Sequence, residues 1–489
     1  MFSKKIMGSK IIVEPSNKIS KINQLTLTTF PGNTIIIIFS LIIAVFVCLI
    51  QNYILYGIAM LIAGVLVYNI GKSFLFGIII IILLTAINPD ITGFRAILNI
   101  LSISVLFYFF IREYGFKFSE YPSLPIEVKY LGGMIIITLI ISTIASGMHV
   151  ISLIALVRSI IFYFVCYIFY SNITAKSTIY YFYYSLIAAS FIVSLSIYYD
   201  LFQSGLVIFL AVGQLARYAG EYGNPNYVGL LVFITTTMLI SILINKHKVG
   251  NLFLLWAMLI NNIIILVIIN SRASVISTIL SVSFILLVHR RKLFFKISIF
   301  VLILSVVLLL LPPVQEFLSI FTRLETLGER EYFWDSGIAV IKDYPIFGVG
   351  PDLFVNHFFN YLPSSADYLF KMASVMKPHP HNFFLFFTAE NGLMGLLSSF
   401  LIFIIYFYIG FMAIKISQEK DYDYYLISTA MTSIGLGIFI RAFFEVDGIM
   451  SYGYITRDLP FGLSTIILFF IYNRLKGNHL IKADHAAEF

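Results

Sequence analysis

Two histidines and four arginines are the residues of this 489-residue chain whose types and spacing can support chemistry. His379 and His381 lie in the segment Lys377-Pro-His-Pro-His-Asn382, where prolines restrict the backbone and can aim a side chain, and Glu390 follows a few residues later. A neutral imidazole, with a reference pKa of about 6.5, suits removal of a proton from a hydroxyl. As metal ligands the pair is incomplete, because no third His, Cys or clear carboxylate neighbours it in sequence, so no metal and no cofactor is expected. His149, His247, His289, His357, His479 and His485 stand singly in predicted loops or the tail and read as solvated.

Arg217, Arg272, Arg330 and Arg441 lie in or beside apolar segments. Each alone reads equally well as a side chain snorkelling to the membrane surface. Arg217 opens the Gly- and Asn-rich stretch Arg217-Tyr-Ala-Gly-Glu-Tyr-Gly-Asn-Pro-Asn226, and Arg272 follows Asn270-Ser271 at a predicted helix start. Guanidinium forks bind phosphate bidentately and keep their charge at any relevant pH, so arginines converging beside a histidine suggest an anionic lipid headgroup and a hydroxyl to deprotonate. Tyr218, Tyr222, Tyr332 and Trp334 are candidates to stack on sugars. Asp421-Tyr-Asp423 has the form of a metal-binding DxD but falls in a short inner loop, and Gly348-Val-Gly350 lacks the continuation of a nucleotide-binding loop.

The elements that must position these residues are membrane helices. The chain is 60% hydrophobic and only 11% charged, with a mean hydropathy of +0.96, which excludes a soluble enzyme. Apolar runs of helical length between residues 34 and 473, among them 34–50, 53–70, 74–89 and 392–415, predict an all-α polytopic membrane protein with about 12–14 transmembrane helices. Cys48 and Cys166 sit inside apolar runs and form no motif. The basic clusters at 246–248, 289–292, 415–420 and 474–476 all fall on one side if the N-terminus is cytoplasmic, so the positive-inside bias predicts cytoplasmic termini. The basic surplus therefore reads as inner loops, not as a nucleic-acid surface.

One membrane domain, 1–489, is expected, with a cytoplasmic segment at 1–33, an outer loop at 199–226, a large outer loop at 312–391 and a cytoplasmic tail at 474–489. In the large loop, Trp334, Ile338 and Ile341 share a helical face before Pro345, and a re-entrant piece broken at Asn391-Gly392 is expected. No internal symmetry of the kind that transporters carry is visible.

Four blocks in order resemble the O-antigen ligase and O-antigen polymerase (Wzy-like) superfamily of bacterial membrane glycosyltransferases, across about 200–400. The 217–226 stretch is similar to its Arg-x-x-Gly-x-x-x-Asn-Pro-Asn loop, and Ser271-Arg272-Ala273-Ser274 to its Ser-Arg helix start. Arg330-Glu-Tyr-Phe-Trp334 with Pro345-Ile-Phe-Gly348-Val-Gly350, and His379-Pro-His381-Asn382 with Glu390-Asn-Gly392-Leu-Met-Gly395, resemble the remaining blocks.

The resemblance implies a GT-C-like fold in the bacterial cytoplasmic membrane and a metal-independent, inverting transfer on its outer face. The implied donor is an undecaprenyl-pyrophosphate-linked oligosaccharide, and the acceptor is a glycan or lipid-linked hydroxyl. His381 takes the family's histidine position, although the His-Pro-His doublet departs from the pattern and brings His379 into play. Arg272 and Arg330 take the positions of the two arginines that hold the pyrophosphate, while Arg217, His379, Asn382, Glu390, Arg441, Tyr218 and Trp334 are expected around the substrates. Polymerase is the first reading and ligase the alternative, with protein O-oligosaccharyltransferase and a lipid or polysaccharide transporter behind them.

Overall fold

The computed structural model describes residues 121–206, 217–245, 251–311, 327–361, 379–449 and 452–487, with fragments between 80 and 115. The expected spans at 34–50 and 53–70 lie outside the described residues, as do most of 74–89, the loop centres 207–216, 312–326 and 362–378, and the segment 1–33. All the elements below belong to the unit formed by residues 77–489.

They are helical throughout. In chain order come α1 (Ile126–Ala145), α2 (His149–Ser171), α3 (Lys176–Gln203), α4 (Pro225–Ile244), α5 (Leu252–Ile269), α6 (Arg272–His289) and α7 (Arg291–Leu309). Then come α8 (Leu327–Asp343), the short α9 (Phe354–Phe358), α10 (Phe383–Lys420), α11 (Tyr422–Ala442) and α12 (Ile455–Ala487). Nine of the described helices, α1 to α6 with α10, α11 and α12, are long and apolar enough to cross a membrane. The chain is thus an all-α polytopic membrane protein.

Four of the described helix starts are set by short polar side chains. Asn224, Asn251, Asn382 and Asp421 each accept a bond from a first-turn amide of the following helix, which stabilises such a start by about 1 kcal/mol. Asn270 closes α5 in a left-handed conformation (φ 48°) and turns the chain directly into α6. The Asp421-Tyr-Asp423 motif is used here as well: Asp421 caps α11 and both carboxylates pair with Lys176, at 2.6 and 3.1 Å.

Helices α4, α11 and α12 are buried along most of their length, whereas α1, α5 and α6 turn large apolar side chains outward. Because lipid is as apolar as leucine, close packing and small polar contacts must hold such a bundle. The α6–α11 seam uses both. Ser277 and Ser281 donate to the carbonyls of Gly437 and Ser433 at 2.8 and 2.7 Å, and a Cβ at Gly437 would stand 2.7 Å from Ser281 Oγ. Gly229 admits Ser274 in the same way between α4 and α6. These approaches bring the start of α6, the start of α4 and the end of α11 to one corner.

The large loop is anchored to a kink. Helix α10 begins at Phe383, before the apolar run predicted from residue 392, and Gly392 (φ 63°, ψ −154°) breaks its regularity where Asn391-Gly392 predicted a break. The segment after α8 docks there: the Val349 and Gly350 amides donate to the carbonyls of Ala389 and Glu390, and the Leu393 amide to Pro345. Gly348 (φ 70°) passes so close that a Cβ would stand 2.2 Å from the Glu390 backbone. Gly348→Ala is therefore expected to cost about 1–3 kcal/mol. Gly132→Ala, where nothing lies within 4 Å, should be neutral or mildly stabilising. Thermal unfolding of the two detergent-solubilised variants compares them, and equal melting temperatures would contradict the docking.

Candidate active site

The corner formed by α4, α6 and α11 holds a cavity of about 190 Å³. Arg217, Arg272 and Arg330 all line it, with Asn226, Asn270 and Glu445. The three arginines come from the loop before α4, the first turn of α6 and the first turns of α8, so segments far apart in sequence meet at one place. Ser271 does not cap α6; its hydroxyl donates instead to Asn226 Oδ1 at 2.9 Å. The first residues of α6, Arg272 and Ala273, therefore face the cavity at the positive end of the helix dipole. Guanidinium groups and a helix N-terminus over a small cavity have the charge and donor chemistry that suit a multiply charged anion.

Asn226 ties the cavity together. Its Oδ1 accepts from Arg217 at 3.0 Å and from Ser271, its Nδ2 donates to Glu445 Oε1 at 2.7 Å, and its carbonyl accepts from Arg441 at 2.7 Å. Arg441 stands behind the cavity and not in its wall. It is fully buried and also donates to Ser274 Oγ at 2.9 Å.

His381 meets this corner through Glu445. The residue lies just before α10 in a left-handed conformation (φ 47°), and its Nδ1 is 3.6 Å from Glu445 Oε2, while Oε1 accepts from Arg330 at 3.4 Å. The Glu445 side chain is only 2% exposed. Burial opposes its ionisation, but the neighbouring His381, Arg441 and Arg330 hold its carboxyl down at about 2. It is a carboxylate at any physiological pH.

His379 occupies a second position. Its ring centroid is 4.1 Å from that of His381, its Nδ1 accepts from the His381 backbone amide at 3.3 Å, and its Nε2 is 3.9 Å from Asp447. Desolvation first, then the neighbouring His381, push it down to about 4 against the pull of Asp447 and Glu445, so it is neutral with its proton on Nε2. The two histidines thus face different carboxylates. Arg457 holds Asp447 at 2.9 Å and lies over the Tyr227 ring at 3.9 Å. Among the described residues no group of three His, Cys, Asp or Glu is gathered closely enough to hold a metal ion.

Other residues singled out in the sequence take different places. Asn382 Oδ1 caps α10 by accepting from the Leu385 amide at 3.0 Å. Glu390 is fully buried, and its oxygens accept from the Asp352 and Phe354 amides at 2.9 and 2.8 Å, so it fastens the docked loop and stands apart from the cavity. Tyr218 pairs with Ser204 at 2.7 Å, and Tyr222 donates to the Thr85 carbonyl. Trp334 and Tyr332 lie on α8 outside the cavity wall, with Trp334 Nε1 buried and lacking a hydrogen-bond partner. Glu445 and Asp447 were missed by the sequence reading. Their signal was slight: two acids in the short connection Phe443-Phe444-Glu445-Val446-Asp447, four and six residues after an arginine at a helix end.

Residues 253–400 match the family model described as O-antigen ligase. The chain is also 30% identical over 166 residues to the exopolysaccharide production protein ExoQ of Rhizobium meliloti (strain 1021). That stretch covers 33% of this chain and 36% of the relative, so the likeness spans about a third of each. The ordered sequence blocks and the helical membrane fold agree with these matches, and over residues 253–400 the chain is similar to the O-antigen ligase family.

Proposed function

We propose that the protein is a membrane glycosyltransferase of polysaccharide biosynthesis that moves a glycan from a polyprenyl diphosphate to a sugar hydroxyl. The observation that carries this reading is the joining of a three-arginine cavity to His381 through the single buried carboxylate of Glu445. In the transfer, the acceptor oxygen attacks the anomeric carbon, its proton passes to His381, and the bond to the diphosphate breaks with both electrons leaving on that group. Arg272 and Arg330, with Arg217 beside them, hold the leaving group and stabilise its growing charge, the role a divalent cation fills in many soluble glycosyltransferases. Undecaprenyl is the polyprenyl expected from the family resemblance.

Two acceptors fit this chemistry. A relative named for exopolysaccharide production favours a polymerase adding repeat units. The family description favours a ligase passing the finished glycan to a lipid-linked acceptor. The reading puts the site at the outer face of the bacterial cytoplasmic membrane, with both termini in the cytoplasm.

The test is a reconstituted transfer with an undecaprenyl-pyrophosphate oligosaccharide, scoring released undecaprenyl pyrophosphate and the products. Release should survive EDTA, and His381→Ala should lower turnover by about 10²–10⁴ at equal protein abundance. Arg272→Lys and Arg330→Lys should also be impaired, since an ammonium cannot reproduce the bidentate fork. Unchanged turnover in His381→Ala would remove it as the base. A ladder of products marks a polymerase, and single addition to a second lipid marks a ligase.

Orientation is read separately, by an impermeant thiol reagent on intact cells in a background lacking Cys48 and Cys166. A cysteine at Met148, in the exposed turn at the site's end of the bundle, should be labelled, and one at Arg290 at the opposite end should not. The reverse pattern would invert the topology.

A further inference from the structure

Glu445 stands where the two halves of the site meet, and its three contacts are unequal. The bond from Asn226 at 2.7 Å is short. The contact with Arg330 at 3.4 Å is longer than the roughly 2.7–2.9 Å of a strong charge-assisted bond, and the Arg330 side chain is 22% exposed where the cavity opens. The third is His381 Nδ1 at 3.6 Å, a buried ring nitrogen with no hydrogen-bond partner. A carboxylate facing Nδ1 favours the tautomer with its proton there, which leaves Nε2 as the proton acceptor.

We infer that Glu445 is a shared counter-ion that holds His381 in its proton-accepting tautomer and yields Arg330 to the diphosphate when the donor binds. The inference rests on the transfer reading above and adds a residue and an order of events to it. Without an anion in the cavity, the Glu445 charge is balanced by Arg330 and by buried Arg441. A diphosphate with two or more charges competes for the Arg330 fork. The carboxylate charge is then left to stabilise the imidazolium formed when His381 takes the acceptor proton. The proton is thereby accepted most readily while a leaving group is in place.

Glu445 consequently has effects of opposite sign: it repels the anion in the ground state and supports the transfer. A residue that merely holds the fold would, when changed, weaken both. Inorganic pyrophosphate is the probe, titrated calorimetrically into the full chain in lipid nanodiscs, with turnover measured on the same preparations. Glu445→Gln should bind pyrophosphate about threefold to tenfold more tightly and lose roughly 10² in kcat. Adding Arg330→Gln to that variant should abolish the gain in affinity.

Glu445→Asp keeps the charge that balances Arg441 but shortens the reach, so it serves if the Gln variant does not fold. Its affinity should stay within about twofold of the parent while kcat falls. Weaker or unchanged pyrophosphate binding in Glu445→Gln, an unchanged kcat, or a parallel loss of both in Glu445→Asp would overturn the proposal. The binding arm needs no glycan donor. Tightening without turnover in the parent would therefore sustain the counter-ion and reject the transfer reading instead.

Discussion

A guanidinium with no access to solvent at the end of a membrane helix is the constraint around which this corner is built. Burying such a charge without partners costs several kcal/mol, so the surroundings must be organised to receive it. Arg441 donates to Ser274 at the start of α6 and to the Asn226 carbonyl at the start of α4, and the chain just beyond α11 returns the compensating charge as Glu445. The Glu445 amide also donates to the Arg441 carbonyl at 2.8 Å, which keeps the two charges adjacent. Three helix ends are fixed together by this one requirement.

The site's geometry follows from that corner. Asn226 is held through its carbonyl by Arg441 and through its side chain by Arg217, Ser271 and Glu445, so its orientation is fully determined. Arg217 and Arg272 are thereby brought to one cavity, and Glu445 reaches from it toward Arg330 and His381. A second anchor, away from the cavity wall, is the α10 kink. There Gly392 admits the backbone of Ile346 and Phe347, Glu390 ties the following loop by two amides, and Asn382 starts the helix one residue after His381. Fold and site are therefore coupled, and the polar residues that look spare in sequence are largely the ones that hold His381 where it is.

The membrane character and the described helices were legible because apolar runs of sufficient length have few other uses, and helix ends inherit their position from the run. The convergence of Arg217, Arg272 and Arg330 was legible for the same reason, each lying beside an end of the same sense. Three things were not. The start of α10 lies before Asn391-Gly392, and a local reading cannot tell a break in the chain from a kink that a docked loop stabilises. Asn382 and Glu390 have side chains suited equally to a ligand and to backbone amides, and only the fold reveals which amides stand nearby. Glu445 belongs to no spacing pattern at all. Its importance comes from helices α4, α6 and α10, whose approach to it is a tertiary fact.

The most direct test of the account is an experimental structure of the full chain in lipid with inorganic pyrophosphate bound. Density for the anion is expected in the cavity between Arg217, Arg272 and Arg330, within hydrogen-bond distance of the latter two, with Arg330 turned from Glu445 and His381 still facing that carboxylate. Anion density only elsewhere, or a cavity at saturating pyrophosphate still closed by the Arg330–Glu445 contact, would contradict it.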